Sequence, residues 1–163
     1  LDSVGGILET AIIGLPAGIG EPFFDSIESV LSHLLFSIPA TKGVSFGAGF
    51  HFATMKGSQA NDSFIYTDTI STTTNNNAGI NGGISNGMPV IIHTCIKPTP
   101  SICKEQDSVD YLTKENRKLV IQGRHDPCIL HRARIVIDSI VAFGILDLFM
   151  SRLAVAPFQG EKL

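Results

Sequence analysis

The chain is 163 residues long, 44% hydrophobic and only 17% charged. That is the length of about one domain and far from the composition of a disordered segment. Twelve basic against fifteen acidic residues give a net charge of -3, so no chain-wide cationic field draws in a polyanion and nucleic acid is not an expected partner.

From Ile7 to Ile13 an apolar, partly β-branched run closed by Gly14 and Pro16 reads as a strand leading into a turn. Pro22 then stands where proline is tolerated at the first position of a helix, and Phe24, Ile27, Val30, Leu31, Leu34 and Leu35 recur at helical spacing up to Pro39. Val44, Phe46, Ala48, Phe50 and Phe52 alternate with small or polar neighbours, which predicts a long strand with one apolar face. Residues 57 to 87 turn polar and glycine-rich, a loop of a length that is more often functional than idle. Val90 to Ile96 and Leu119 to Ile121 read as further strands, the first stopped by Pro98 and Pro100. The charged segment between them, Cys103 to Arg117, reads as surface.

After Pro127, residues Val136, Ile140, Phe143, Leu146 and Met150 mark a helical stripe, and Ile137, Val141 and Leu148 extend it around the cylinder. Asp138 and Asp147 interrupt this run, which falls short of the roughly 20 apolar residues that a bilayer span needs. No membrane partner is therefore expected. The fold class is α+β, with helices as a middle layer that needs cover on both sides. Residues 1 to 163 read as a single unit with Pro157 to Leu163 as a fraying tail. Cys95, Cys103 and Cys128 are odd in number and lack scaffold spacing, which suits reduced thiols and a cytosol-like compartment. Leu1 to Gly14 has no basic start or long apolar region, so it reads as the interior of a longer protein rather than a signal peptide.

The densest polar cluster is Arg124, His125, Asp126, Cys128, His131, Arg132 and Arg134. Three readings of it stand. His125, Asp126, Cys128 and His131 are competent metal ligands, though their spacing matches no standard zinc pattern. Arg124 and its neighbours can grip a phosphate or carboxylate while Asp126 does acid or base work. Alternatively, Asp126 or His125 caps the helix that follows and the arginines are solvated. The glycines from Gly79 to Gly87 allow close backbone approach to a flat cofactor or a phosphate, but they form neither a Walker loop nor a dinucleotide fingerprint and equally suit a turn between strands. Lys97-Pro98-Thr99-Pro100-Ser101 puts a cation and hydroxyls on a proline-stiffened segment, as a phosphate site or a plain polar loop would. His33 and His51 read as surface residues and His93 as a satisfied core histidine.

Taken together, Gly14-Leu15-Pro16-Ala17-Gly18-Ile19-Gly20-Glu21-Pro22, Ser37-Ile38-Pro39-Ala40-Thr41-Lys42-Gly43-Val44, Gly82-Gly83-Ile84-Ser85-Asn86-Gly87, Lys97-Pro98-Thr99-Pro100-Ser101-Ile102 and Gly123-Arg124-His125-Asp126-Pro127-Cys128 resemble the chorismate synthase family, in the family's order. The resemblance covers nearly the whole chain but only the C-terminal half of the family's protein. The half with a histidine pair and several substrate-binding arginines is not in this sequence.

The resemblance implies a 1,4-elimination of phosphate from 5-enolpyruvylshikimate 3-phosphate, giving chorismate. The cofactor it implies is reduced FMN, with NADP as an associated nucleotide and no metal. It implies that Asp126 relays the ring proton through the flavin and that Arg124 contacts flavin and substrate, a role suited to a fixed charge with a fork of donors. The implied flavin contacts are Pro39, Ala40, Gly82, Lys97, Pro98, Thr99, Pro100, Ser101 and Arg124. It further implies helices layered between antiparallel β-sheets, a homotetramer, and a cytoplasmic or plastid-stromal location. Ala78 stands where the family commonly has glycine, and His131 where a proline often follows. The 163-residue chain alone is expected to be poorly active or inactive, and a noncatalytic flavin-binding or assembly module is the alternative.

Overall fold

The computed structural model describes residues 2–155. The expected tail, Pro157 to Leu163, lies outside the described residues. In chain order the elements are β1 (Gly6–Ile12), α1 (Ile27–Ser37), β2 (Thr41–Phe46), α2 (Gly57–Ala60), β3 (Phe64–Tyr66), β4 (Ile70–Thr72), β5 (Ile80–Asn81), β6 (Ile84–Ser85), β7 (Val90–Ile96), β8 (Gln106–Val109), β9 (Asn116–Leu119) and α3 (Leu130–Val155). Strand β7 is central and antiparallel to β1 on one side and β2 on the other. Strands β3 and β4, β5 and β6, and β8 and β9 form separate hairpins.

The period-two pattern of β7 decides the layering. Val90, Ile92, Thr94 and Ile96 are buried, and the three apolar ones join one core cluster with Ile27, Leu31 and Leu35 of α1 and Ile137, Val141 and Leu148 of α3. The sheet's other face is open. There His93 Nε2 lies 3.0 Å from Glu9 Oε2, so His93 is not the core histidine expected from its apolar neighbours. Its phase along the strand, not their hydrophobicity, fixes its side.

Four further expectations are displaced. Helix α1 begins five residues after Pro22, because the Ser26 hydroxyl accepts the Ser29 amide at 3.0 Å and caps it. Pro22 instead precedes a 3-10 turn, Phe23–Asp25, in which Phe24 is exposed. Strand β2 stops at Phe46 rather than running to Phe52: Gly47 and Gly49 take φ of +53° and +51°, and the chain turns into a 3-10 segment, Gly49–Thr54. Strand β9 ends at Leu119, where the sequence reading began its strand. On α3 the buried line is Ile137, Val141, Gly144 and Leu148. The bulkier stripe at Phe143, Leu146 and Met150 is more than half exposed, so the helical layer has cover from the sheet on one side and a bare apolar surface on the other.

The polar stretch 57 to 87 is ordered by two polar side chains. Asp62 Oδ1 accepts the Thr74 hydroxyl at 2.7 Å, the Asn76 amide at 2.8 Å and Asn76 Nδ2 at 3.0 Å, while Oδ2 accepts the Asn77 amide at 2.8 Å and Asn77 Nδ2 at 3.1 Å. Burial pushes this carboxyl up, but the bonds from Asn77, Thr74 and Asn76 outweigh it and hold it below its ordinary value. The contribution is therefore present above the ordinary carboxylate range and is lost as pH falls through the lowered value. Just beyond, Ala78 is fully buried at φ +54°, a conformation that costs a non-glycine residue about 1–2 kcal/mol. The departure from glycine is thus carried as strain, with the left-handed backbone retained.

Ser85 is the second organiser. Its hydroxyl donates to Pro16 O at 2.6 Å and accepts the Ile19 amide at 2.9 Å, and its backbone exchanges bonds with Gly18 and Ile19. Ser85→Ala is expected to destabilise the protein by roughly 1–3 kcal/mol, since it strands the buried Ile19 amide and removes the bond to Pro16 O. The denaturation midpoint checks this, and an unchanged midpoint would refute it.

Candidate functional site

Strand β7 ends at Ile96, ahead of two prolines that cannot donate to a ladder. The segment leaving it is tied on both sides. Lys97 N donates to Ala40 O at 2.9 Å, and the Ser3 hydroxyl donates to Thr99 O at 2.6 Å. Val4 N in turn donates to Pro127 O at 2.8 Å, and Val4 bridges to Cys128. The residues before β1 thereby staple the 123–128 segment beside 97–101. Between them opens a cavity of about 410 Å³ whose walls include Ser3, Ser101, Arg124, His125 and Asp126.

The charges on and beyond the walls of this cavity differ in their commitments: Asp2, on the wall, pairs with Lys104 at 2.7 Å, while Lys97 stands outside the lining. Arg124 and Lys97 are exposed and have no ion-pair or hydrogen-bonding side-chain partner among the described residues. Asp126 Oδ2 meets Arg132 Nη1 at 3.0 Å, with the two side chains 38% and 81% exposed; such a pair contributes roughly 0–1 kcal/mol and leaves the carboxylate within reach of a ligand. His125 Nε2 is 3.2 Å from Ile121 O, so this nitrogen carries the hydrogen and donates. Asp126 and His125 are thus occupied with Arg132 and Ile121 rather than capping α3. Among the described residues no group of three or more His, Cys, Asp or Glu side chains is placed to hold a metal ion, and Cys95, Cys103 and Cys128 are free thiols.

Two features set off the backbone around Ala40 and Thr99. Thr99 Oγ1 is buried with no partner, as are Thr41 Oγ1 and Thr94 Oγ1 near the same strand end, a deficit of about 1–3 kcal/mol each. Ala40 is held at φ +73°, and such strain in a non-glycine residue gathers at binding sites. The unpaired cations Arg124 and Lys97 and the hydroxyl of Ser101 are groups of a kind that suits a phosphomonoester.

Of the residues singled out from sequence, Pro39, Ala40, Lys97, Pro98, Thr99, Pro100, Ser101, Arg124 and Asp126 lie at the Ile96 end of the sheet. Gly82 does not join them. It occupies the turn between β5 and β6, whose Gly83 O accepts the Ile27 amide at 3.0 Å, so it sits at the first turn of α1 while Pro39 and Ala40 follow the last. Eleven helical residues separate the two groups, a span of about 16 Å. A Cβ added at Gly82 would meet nothing within 4 Å among the described residues, which leaves that turn open to an approaching molecule. Sequence reasoning missed Ser3, Asp62 and Ser85; small polar residues in polar loops carry no periodicity to single them out.

An antiparallel sheet backed by helices, with a cavity at the strand end walled by Arg124, two carboxylates and two serine hydroxyls, defines the class: an α+β domain with a polar cavity at the end of its central strand. The family model for chorismate synthase matches residues 1–150. A chorismate synthase of Methanobrevibacter smithii is 50% identical over 147 residues, covering 90% of this chain and 40% of that protein. One of Chitinophaga pinensis is 45% identical over 149 residues, covering 91% and 45%. A solved structure titled "Crystal Structure of Chorismate Synthase" superposes with a TM-score of 0.74 at 26% identity, covering 93% of this chain and 39% of that one. The chain belongs to the chorismate synthase family. It spans less than half the length of these relatives, and its α+β architecture is theirs. No described helix is long and apolar enough to cross a membrane.

Proposed function

We propose that this chain is the part of a chorismate synthase that contributes Arg124 and Asp126 to the elimination of phosphate from 5-enolpyruvylshikimate 3-phosphate, giving chorismate. The observation that carries the reading is the placement of an unpaired guanidinium and an accessible carboxylate on the wall of one cavity beside Ser101. In this reading Arg124 binds an anionic oxygen of the substrate or cofactor through paired donors. Asp126 moves the ring proton at its carboxylate. Lys97, Thr99 and Ser101 hold a phosphate, with Pro39 and Ala40 as the adjoining wall. Reduced FMN, when bound, lends electron density transiently and recovers it, so the reaction has no net redox change. Gly82 would touch only a portion of the ligand that lies beyond α1. Assembly as a homotetramer in the cytoplasm belongs to the same proposal, and the bare side of α3 is consistent with further cover.

An anaerobic assay with reduced FMN and 5-enolpyruvylshikimate 3-phosphate tests this, following chorismate by absorbance. The complete protein is expected to turn over, and the 163-residue chain alone is not. Tight flavin binding by the complete protein without any chorismate would establish the noncatalytic module instead.

A further inference from the structure

The polar segment 57 to 87 carries a device that the proposed chemistry does not use directly. Asp62 fixes the Asn76 and Asn77 amides and both their side chains. Asn77 O then accepts the Ile80 amide at 3.0 Å, at the first residue of β5. A parallel route runs through Asn75, whose Oδ1 accepts the Gly79 amide at 2.7 Å and whose Nδ2 donates to Pro89 O at 2.8 Å. The first route ends on the β5–β6 hairpin and the second on Gly79 and Pro89 to either side of it, and Asn86 closes it, with its amide on Gly79 O and Nδ2 on Asn81 Oδ1 at 2.6 Å. The hairpin's own ladder pairs only Ile80 with Ser85 and Asn81 with Ile84, too little to hold a fixed turn unaided.

We infer that Asp62 is a positioning residue for ligand binding: by clamping Asn76 and Asn77 it fixes the β5 side of a hairpin whose other side is held by Ser85 and Gly83, and so tunes how well the open turn at Gly82 meets the cofactor. The inference rests on the flavin reading above. An ionised carboxylate suits the task because it offers acceptor sites in several directions and its bonds to amides are charge-assisted. Asparagine at position 62 keeps one acceptor oxygen, for Thr74 and Asn76, but loses the acceptor for the Asn77 amide.

The test uses the complete protein, FMN titration by fluorescence quenching, and amide hydrogen exchange over residues 79 to 86. Asp62→Ala is expected to weaken FMN binding roughly ten- to a hundredfold, the scale of a misplaced positioning contact. Exchange at Ile80, Asn81, Ile84 and Ser85 should quicken, while KM for the phosphate substrate at saturating FMN stays unchanged. Asp62→Asn should fall between, and it serves if the alanine variant does not fold. Combined with Gly82→Ala, the losses in FMN affinity should be less than additive, since both act at one turn. Faster exchange with unchanged FMN affinity in either variant would overturn the assignment while leaving the flavin reading intact. Absence of FMN binding by the unmodified protein would overturn both.

Discussion

Asp126→Asn in the complete protein is expected to lower kcat for chorismate formation by about 10²- to 10⁴-fold, the usual worth of a positioned proton-transfer group. The substitution keeps the size and one acceptor oxygen of the side chain but cannot take up a proton at neutral pH. Stability should hardly change, because the carboxylate's partner within the chain is the exposed Arg132, at 3.0 Å, and surface pairs of this kind contribute roughly 0–1 kcal/mol. Steady-state turnover and a thermal midpoint measured on the same preparation separate the two effects. Arg132→Ala is the control: if Asp126 served only to anchor Arg132, the two variants would lose activity alike. Near-normal turnover in the asparagine variant would remove Asp126 from proton transfer.

How much of this was legible in the sequence depended on the range of the interactions responsible. Strand β7 was readable because its β-branched run between prolines matches its structure end to end. The body of α1 was readable because Ile27, Leu31 and Leu35 recur every four residues and are buried together. Its start was misplaced because a proline and a capping serine both favour a helix beginning, and only the structure reveals that Ser26 takes the amide of Ser29. The alternation from Val44 to Phe52 was misleading in a different way: two glycines at positive φ let the chain leave the sheet after Phe46, although the hydrophobic phase continues past them. On α3 the stripe richest in large side chains is the exposed one. Helical spacing identifies faces but cannot say which face a neighbouring layer takes when both are apolar.

The candidate site stands out in the sequence as motifs, and its arrangement does not. Arg124, Asp126, Lys97 and Ser101 were found as motif members, and the structure places them about the end of β7. Their approach depends on Ser3 and Val4, which reach across from the start of the chain to Thr99 and Pro127. No local pattern announces such long-range staples. Gly82 belongs to a motif in the same register of sequence, yet it stands beyond the opposite end of α1, because the hairpin is bound to that helix's first turn through Gly83.

That attachment makes a single added methyl group at Gly83 costly. Gly83→Ala should cost about 2–5 kcal/mol, combining 1–2 kcal/mol for a left-handed non-glycine residue with about 1–3 kcal/mol of overpacking. Gly83 has φ +89°, and a Cβ there would fall 2.6 Å from Ser26 Cβ and 2.8 Å from Glu21 O. The second neighbour is backbone and the first is the cap of α1, so neither can rotate away as a flexible side chain would. Moving the hairpin aside would pull Gly83 O from the Ile27 amide and shift the serine that caps the helix. A loss of this size is a large share of the roughly 5–15 kcal/mol that holds a domain folded, so soluble yield should drop along with the denaturation midpoint. Gly87→Ala isolates the conformational part: its φ is +92°, but an added Cβ meets nothing within 4 Å among the described residues, and its cost should stay near 1–2 kcal/mol. Equal losses at the two positions would mean that the contact between the hairpin and the start of α1 is looser than its distances imply.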